Sequence, residues 1–310
     1  MELNEGANLD TSQVEDVRGS TGGGGGGFGL PIPIGGGRMG LVSTVVILGI
    51  MLCVGGVFGR NLIGGGSGAQ PNNGDLNQRC ATSNPNRFSD TDCRNLLYVN
   101  SVQAYWTVAL PQTFGRPYAK ATTRFFSQQI DTGCGPADSG VGPFYCPADK
   151  HVYIDLTFYD ELANRFGASG QFAQAYVLAH EYGHHVQDLL GTEAKVNQLM
   201  QSDRAGANHY SVELELQADC YAGVWAKHAT ETTDQSGNPL FRTVTRQDVQ
   251  QALDAAAAVG DDAIQKKMGG GVDESKFTHG SSAQRQQWFS TGYDSGAGTA
   301  CGTFNGAASP

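Results

Sequence analysis

Two histidines one helical turn apart carry the strongest chemical signal in the chain. His180 and His184 stand four residues apart in the stretch HEYGH, so a helix would place both imidazoles on one face, and Glu181 follows the first of them. Imidazole nitrogens bind zinc, and zinc lowers the pKa of a bound water to about 7. The spacing therefore predicts a metal site that activates water for hydrolysis, with Glu181 as the base that removes the proton.

A second pair of candidate residues follows about thirty residues later. Glu215 and Asp219 share one face of a predicted helix that runs towards His228. A catalytic zinc needs three protein ligands and one open position, so Glu215 is the predicted third ligand. Asp219, one turn further on, is placed to accept the second ring N–H of a ligand histidine. Glu213 is the competing ligand, and an ordinary solvated acidic face is the alternative for this helix.

Four stretches of the chain together resemble a known family. They are VYIDLTFYDEL (152–162), HEYGHHVQ, ELQADCYAGVWA and FTHGSSAQRQQWF (277–289). This combination is similar to the bacterial neutral zinc metallopeptidase family, the YpfJ-like group, over about residues 79–294, and the likeness extends to the glycine-rich, membrane-anchored N-terminus. The HExxH and ExxAD pattern is also similar to that of gluzincins, including HtpX-like membrane peptidases. The resemblance implies hydrolysis of peptide bonds with one zinc ion per chain, and it leaves the substrate open.

The resemblance also implies roles for two residues near the C-terminus. His279 and Arg285 lie in a segment that is similar to the His-x5-Arg element of HtpX-like peptidases, where the His faces the substrate and the Arg supports the site. We therefore expect His279 to stabilise the oxyanion that forms during hydrolysis. Gly280 stands where that group usually has proline, which leaves the local backbone open. An exposed loop histidine and a structural salt bridge are the alternative interpretations of His279 and Arg285.

The residues just before the zinc motif predict a strand. Apolar and polar residues alternate over residues 152–156, which is typical of a half-buried strand. An extended peptide can bind along the free edge of a sheet through main-chain hydrogen bonds. We therefore expect this to be an edge strand whose Tyr153 and Asp155 contact the substrate, with a central structural strand as the alternative. Thr157 and Asp160 predict a capping box at the start of a short helix.

An apolar stretch predicts a membrane anchor. Residues 39–59 contain no charge and are bracketed by Arg38 and Arg60. About 20 such residues span a bilayer as a helix. We therefore expect a single transmembrane helix over residues 38–59, with a buried core helix as the alternative. Arginines on both sides leave its orientation undecided.

The cysteines predict the compartment. The six that follow the apolar stretch can form three disulfides, and their spacing favours two local loops and one long-range link: Cys80 with Cys93, Cys134 with Cys146, and Cys220 with Cys301. Disulfides persist in oxidising compartments, so we expect the catalytic domain outside the cytoplasm and the N-terminus inside it. Six reduced thiols, or Cys220 as a metal ligand, are the alternatives.

Composition and periodicity predict the organisation of the chain. The expected parts are a disordered, glycine-rich tail without a core of its own (1–37), the transmembrane helix (38–59), a flexible linker (60–78) and one catalytic domain (79–310). The domain is expected to be α+β, a predominantly helical zincin-like metallopeptidase domain with a small sheet. Helices are predicted around the zinc motif, with a stop at Gly191, and near residues 91–109, 193–202, 246–258 and 282–292.

Charge and motifs exclude several classes of partner. The chain carries 20 basic and 30 acidic residues without a basic cluster, which argues against nucleic acid. No glycine-rich loop follows a predicted strand, which argues against a nucleotide. The sequence therefore predicts a membrane-anchored zinc endopeptidase that acts on a peptide or protein. The alternative is a zinc-stabilised extracytoplasmic module that binds peptides or cell-wall components without cutting them.

Overall fold

Nine α-helices and eight short β-strands form the part of the chain that the structure, a computed structural model, describes: residues 1–19 and 73–304. The helices are α1 (Asn73–Arg79), α2 (Thr91–Phe114), α3 (Phe158–Asn164), α4 (Gln171–Leu190), α5 (Thr192–Ser202), α6 (Ala207–His228), α7 (Arg246–Ala258), α8 (Asp261–Lys267) and α9 (Ser282–Ser295). The strands are β1 (Glu2–Leu3), β2 (Val14–Asp16), β3 (Thr122–Phe125), β4 (Gln129–Thr132), β5 (Gly135–Asp138), β6 (Phe144–Cys146), β7 (His151–Ile154) and β8 (Phe241–Thr243). The predicted α+β, mostly helical class is confirmed.

Helix α4, which carries the HEYGH motif, lies at the centre of the core. It packs against α2, α6 and α7, and it ends at Gly191 as predicted. Phe172 at its start stacks on Trp225 of α6, with ring centroids 5.8 Å apart. Apolar residues at helical spacing therefore hold the motif between several elements, and this packing fixes the direction in which its histidines point.

The principal sheet has the order β2-β3-β7-β6. Strands β2, β3 and β7 are parallel, whereas β6 runs antiparallel to β7. Because β7 has a neighbour on each side, the expectation that it is an edge strand is wrong. Tyr153 of β7 is also 0% exposed and stacks on Phe144 of β6, so both faces of the strand are covered. The edge strand on the side of α4 is β6.

The start of α3 differs from the prediction. Thr157 makes no side-chain cap hydrogen bond, so the capping box with Asp160 does not form. Instead, the carboxylate of Asp155 accepts hydrogen bonds from the backbone and hydroxyl of Thr157 at 3.0 and 2.8 Å. By contrast, Thr245 and Asp248 form a complete capping box at the start of α7.

Residues 1–19 form part of the folded domain. Strand β2 pairs with β3, Val14 belongs to the main core, and the buried guanidinium of Arg87 donates to the carbonyls of Asn4, Glu5 and Ala7 at 3.2, 2.8 and 2.7 Å. The expectation of a tail without a core is therefore wrong for these residues. The composition of residues 1–37 is dominated by the glycine run, so it does not indicate that the short segment before that run is folded. The backbone of this segment is bound by distant side chains.

The domain also resumes earlier than predicted, at α1. The side-chain amide of Asn73 donates to the carbonyl of Val14 at 2.7 Å, and its oxygen accepts from the backbone of Asp16 at 3.0 Å. Leu76 is fully buried. Residues 73–78, predicted as flexible linker, are thus a helix that closes over β2.

No helix within residues 1–19 and 73–304 is both long and apolar enough to cross a membrane. The transmembrane helix predicted over residues 38–59 lies outside the described residues, as do residues 20–37 of the predicted tail and residues 60–72 of the predicted linker.

The three predicted disulfides are present. Their Cα–Cα distances are 5.2 Å for Cys80–Cys93, 5.9 Å for Cys134–Cys146 and 5.5 Å for Cys220–Cys301. Cys134–Cys146 joins the turn of the β4–β5 hairpin to β6. Cys220–Cys301 joins the C-terminal segment to α6, close to the acidic residues of that helix.

Candidate metal centre and catalytic cleft

Three side chains from two helices converge on one point. His180 and His184 extend from α4, and Glu215 extends from α6. His180 Nε2 lies 3.2 Å from Glu215 Oε2, and His184 Nε2 lies 3.5 Å from Glu215 Oε1. Ligand atoms on a tetrahedral zinc are about 3.3 Å apart, because the bonds are about 2.0–2.1 Å long. The spacing, the burial and the donor types of this group fit one zinc ion.

A glycine permits the close approach of the two helices. Gly183 faces Ala218, and a Cβ atom built on Gly183 would lie 2.9 Å from the Cα and from the carbonyl oxygen of Ala218. Any larger residue at position 183 would therefore push α6 away from α4. Since Gly183 lies between the two histidines of the motif, this contact sets the distance from the histidines to Glu215.

Asp219 lies directly behind His180. Its buried carboxylate accepts a hydrogen bond from His180 Nδ1 at 2.9 Å and another from the hydroxyl of Tyr176. Arg285 of α9 donates to both of its oxygens, from Nε at 2.8 Å and from Nη2 at 3.0 Å. Because a carboxylate only accepts, the imidazole of His180 carries its hydrogen on Nδ1, which leaves Nε2 free to bind a metal.

Gln187 plays the corresponding part for His184. Its Oε1 accepts a hydrogen bond from His184 Nδ1 at 2.9 Å. Its Nε2 donates to the carbonyl of Leu214 at 2.8 Å and to Gln217 Oε1 at 3.1 Å, which fixes the orientation of the amide. Gln217 in turn donates to the carbonyl of Cys301 at 2.9 Å. Each histidine therefore presents Nε2 to the metal position and has its other nitrogen held by the protein.

Burial and neighbouring charges shift the ionisation of the centre. Burial lowers the pKa of His180, but the carboxylate of Asp219 raises it more, so that the pKa is about 10. Burial raises the pKa of Glu215, but the charge of His184 and the hydrogen bonds from both histidines lower it more, so that the pKa is well below its ordinary value. An ionised carboxylate thus lies between two imidazoles, which favours the binding of a cation.

Glu181 lies beside the metal position without belonging to the ligand group. Its side chain is buried and lines the same cleft as the two histidines. Burial raises the pKa of Glu181, and the charges of His180 and His184 oppose this rise. A carboxylate with a raised pKa in this position can accept a proton from water and release it again.

His279 reaches the cleft from the segment before α9. The Oδ2 atom of Asp261 accepts from three successive backbone N–H groups, those of Thr278, His279 and Gly280, at 2.8, 2.7 and 3.0 Å. Asp261 Oδ1 also lies 3.3 Å from His279 Nδ1. The Nε2 atom of His279 is buried and has no hydrogen-bond partner among the described residues. A polar atom held in this way is available to a ligand in the cleft.

The backbone at Gly280 explains one departure from the HtpX-like pattern. Its φ of 88° lies in the left-handed region, which glycine adopts readily and which the ring of proline excludes. The backbone after His279 therefore has a conformation that a His-Pro sequence could not adopt. The carboxylate of Asp261 holds this conformation through its three hydrogen bonds to the backbone.

Comparison with known proteins agrees with this geometry. Residues 5–304 match the sequence model of a family described as "Putative neutral zinc metallopeptidase". The chain belongs to this family. An uncharacterized protein of Mycobacterium tuberculosis (strain ATCC 25618 / H37Rv) is 48% identical over 235 residues, which cover 75% of this chain and 76% of that protein. The protein YpfJ of Escherichia coli (strain K12) is 40% identical over 298 residues, which cover 95% of this chain and 96% of that protein. No solved structure matches.

The metallopeptidase family match confirms the resemblance seen in the sequence, including its extension to the N-terminal segment. The match begins at residue 5, well before the apolar stretch. It therefore includes β2 and two of the residues that Arg87 binds, Glu5 and Ala7. The family implies zinc, and the group formed by His180, His184 and Glu215 is suited to hold it.

The candidate metal centre opens into a cleft that is continuous with solvent. The charged and polar side of the cleft is formed by His180, Glu181, His184, Glu215, His279 and Arg285. Phe144 and Tyr145 of the edge strand β6 also line it. The metal position, the candidate base and a free strand edge thus meet in one accessible space.

Two expected substrate contacts lie elsewhere. Tyr153 is fully buried, and its hydroxyl donates to Asp149 at 2.7 Å. Asp155 closes the turn before α3 and accepts from the backbone of Gln128 at 3.1 Å. Neither residue lines the cleft. Tyr153 belongs to β7, which is central in the sheet, and Asp155 directly follows that strand. The assignment of both to substrate binding is therefore not kept.

Glu213 and His185 take no part in the metal-ligating group. Glu213 lies on a different face of α6 from Glu215, and its carboxylate is 3.3 Å from His209 Nε2. His185 follows the second ligand directly, but its side chain is fully buried and donates to the carbonyl of Ala119 at 2.6 Å.

Sequence reasoning did not single out Gln187 or Asp261. Gln187 follows His184 by three residues, so the stretch HEYGHHVQ contained a usable signal: a polar residue one turn after a ligand on a predicted buried face. Asp261 precedes His279 by 18 residues and is the first residue of α8, whereas His279 lies in the segment before α9. Spacing along the chain offered no signal for that pair.

Proposed function

We propose that the chain is a zinc-dependent endopeptidase. The observation that carries this proposal is the combination of three buried ligand groups, a separate carboxylate and an open cleft in one place. Zinc, when bound, supplies a Lewis acid that polarises the peptide carbonyl and makes water acidic. His180, His184 and Glu215 would hold it, and Asp219 and Gln187 would keep the two imidazoles oriented.

The other residues of the site have distinct tasks in this proposal. Glu181 accepts a proton from the attacking water and passes it to the leaving amine, because its raised pKa suits both steps. His279, with a hydrogen on its free Nε2 atom, donates that N–H to the oxyanion that develops on the carbonyl. Arg285 neutralises Asp219 and so keeps the buried carboxylate ionised. A peptide in an extended conformation would lie along β6, the free edge beside α4.

The alternative of a non-catalytic, zinc-stabilised binding module has less support. A structural zinc is normally closed by a fourth protein ligand. Among the described residues, the group that can hold a metal has three members, and Glu181 would have no task in a purely structural site. The proposal of catalysis explains both features.

The proposal is tested by Glu181→Gln. In the zinc-loaded wild type, cleavage of a proteome-derived peptide mixture should be abolished by a chelator and restored by zinc. Glu181→Gln should keep the zinc and lose at least about a hundredfold in kcat/KM, which is typical of the loss of a general base. Glu161→Gln is the matched control, because Glu161 also lines the cleft but is exposed at its rim. Full activity of Glu181→Gln with bound zinc would contradict the assignment.

We further propose that the folded domain works in an oxidising compartment outside the cytoplasm. Three disulfides link six cysteines, and such bonds persist where the redox environment is oxidising. Membrane association through residues 39–59 stays a prediction from the sequence. We propose the same compartment for residues 1–18, and the pairing of β2 with β3 and the ion pair of Arg18 with Asp92 support this. These contacts cannot form across a bilayer, so an N-terminus on the cytoplasmic side is not proposed again.

Labelling of single cysteines tests this shared location. Glu2→Cys and Glu274→Cys place one exposed thiol in the N-terminal segment and one in the catalytic domain. In intact cells, a membrane-impermeant maleimide should label both variants to the same extent above the unsubstituted protein. Labelling of the second variant alone would show that residues 1–18 lie on the opposite side.

A further inference from the structure

Much of the cleft lining is apolar, and the part of it that does not come from the helices of the metal centre is called here the apolar wall. Six side chains from the turn before β6, from β6, from the region of α3 and from the region of α7 and α8 form it: Val141, Phe144, Phe158, Phe166, Val259 and Ile264. Each of them is partly exposed. Separate segments of the chain therefore contribute accessible apolar surface to the same space.

Core packing does not account for two of these residues. Val141 and Ile264 belong to none of the hydrophobic clusters formed by the described residues, and they are not packed against those clusters. The large hydrophobic side chains exposed outright within residues 1–19 and 73–304 are Val108 at 55% and Val272 at 42%, and neither lines the cleft. The partly exposed apolar surface at the cleft is thus a local feature that points to a ligand.

The charges of the cleft do not favour a charged side chain at this wall. Glu161 stands at the exposed rim and forms an ion pair with Arg165 at 3.3 Å. Arg285 is engaged by Asp219 and lies on the side of the metal ligands. Among the lining residues there is no lysine, and the histidines belong to the metal centre and its surroundings.

We infer that the apolar wall is the main specificity subsite and that it binds a large aliphatic or aromatic side chain next to the scissile bond. This inference rests on the proposed peptidase function and adds the substrate class to it. A peptide held along β6 alternates its side chains, so that those on one side face the wall while the carbonyl reaches the metal position. Burial of a leucine or phenylalanine side chain there removes apolar surface from water, whereas a charged side chain would lose its hydration without gaining a partner.

Binding to an inactive variant tests the inference without cleavage. The probes are fluorescein-labelled octapeptides of alternating Leu and Ser, and of alternating Asp and Ser, added to the full-length, zinc-loaded Glu181→Gln protein. Fluorescence anisotropy should give a Kd at least about tenfold lower for the leucine peptide, which is the scale of small apolar differences in such pockets. Equal affinities for the two peptides would overturn the inference.

Substitutions in the wall test its position. Ile264→Asp and Val141→Asp, each in the Glu181→Gln background, should weaken the leucine peptide at least about tenfold and strengthen binding of a third peptide, of alternating Lys and Ser. Val272→Asp is the matched control, because it places the same charge at an exposed valine outside the cleft. A change of preference from leucine to lysine separates a specificity residue from a merely structural one. Equal effects of Ile264→Asp, Val141→Asp and Val272→Asp would overturn the inference.

Cleavage assays distinguish failure of the proposed peptidase function from failure of the inferred specificity for large apolar side chains. If the active enzyme cuts peptides after or before large apolar residues, both the function and the specificity are supported. If it cuts peptides without regard to side-chain type, the peptidase stands and the specificity inference fails. If the leucine peptide binds selectively but the zinc-loaded wild type cuts nothing, the subsite stands and the catalytic proposal fails.

Discussion

The Oε1 atom of Gln187 lies 2.9 Å from Nδ1 of His184, and the same amide is held by the carbonyl of Leu214 and by Gln217. Because Gln217 also donates to the carbonyl of Cys301, a chain of hydrogen bonds runs from a metal ligand to the disulfide that holds the C-terminal segment. The orientation of His184 therefore depends on residues of α6 and of the C-terminus.

Gln187→Met should weaken zinc binding by about 10- to 100-fold, the usual effect of losing a partner of a ligand histidine. The variant keeps the size of the side chain but leaves His184 Nδ1 without its acceptor. Zinc affinity is measured by competition with a chromogenic chelator. Gln174→Met, on the same helix and distant from both ligands, is the control. An unchanged affinity in Gln187→Met would show that the hydrogen bond has no part in metal binding.

Gly183→Ala should separate α4 from α6. The added methyl group would meet backbone atoms of Ala218 at 2.9 Å, so one helix must move. Overpacking of this kind typically costs about 1–3 kcal/mol of unfolding free energy, and the shift should also reduce zinc affinity because Glu215 moves with α6. Urea unfolding and zinc titration of the same preparations check both effects. A variant with wild-type stability and wild-type affinity would contradict the tight contact.

Features that depend on residues close together in the sequence could be predicted, whereas most features that depend on distant residues could not. The zinc motif, Glu215 and Asp219 were found because helical spacing relates residues three or four apart, and α4 and α6 are long helices. The position of β7 in the sheet was missed because its two partners, β3 and β6, are set by pairing that local alternation does not encode. The alternation of apolar and polar residues suggested that one face of β7 is exposed, but both of its faces are covered.

The N-terminal segment was missed for a different physical reason. Few of its side chains are apolar, and it is held largely through its backbone, by the buried Arg87 and by Asn100, which exchanges hydrogen bonds with the backbone of Asp10 at 2.7 and 3.0 Å. Hydropathy and composition measure side chains and do not detect backbone groups that distant residues satisfy. Similarly, Asp261 acts on His279 through three backbone N–H groups.

Zinc binding should release protons. Burial lowers the pKa of His180 but Asp219 raises it further, to about 10, and for His184 the carboxylate of Glu215 likewise outweighs burial. At pH 7 the metal-free centre therefore holds at least one extra proton, which the metal displaces. Zinc affinity should rise about tenfold per pH unit between pH 6 and 8 for each proton released. Calorimetric titration in two buffers of different ionisation enthalpy measures this number, and a binding enthalpy that is the same in both buffers would contradict it.

Glu193 should make the stability of the protein depend on pH. It is buried, and neither carboxylate oxygen has a hydrogen-bond partner among the described residues. Burial raises its pKa to about 7 from an ordinary 4.5. The folded state thus favours the protonated form, so the contribution to stability is complete below pH 4.5 and is lost as the pH rises through 7.

Glu193→Gln removes this dependence and should stabilise the protein at pH 8 more than at pH 5. Urea unfolding of the full-length protein in mild detergent at the two pH values gives the difference. Glu274→Gln, at an exposed position, should show no such difference. If Glu193→Gln is destabilising at pH 8, the carboxylate has a favourable interaction that this account does not include.

The most direct test of the account is the zinc content of two neighbouring variants on α6. Glu215 reaches the two histidines, whereas Glu213 lies near His209 on another face of the helix. After equilibration with one equivalent of zinc and removal of the unbound metal, the wild type and Glu213→Gln should each retain one zinc ion per chain, and Glu215→Gln should retain little. Retention of a full equivalent by Glu215→Gln, or its loss from Glu213→Gln, would contradict the claim that His180, His184 and Glu215 form the metal centre.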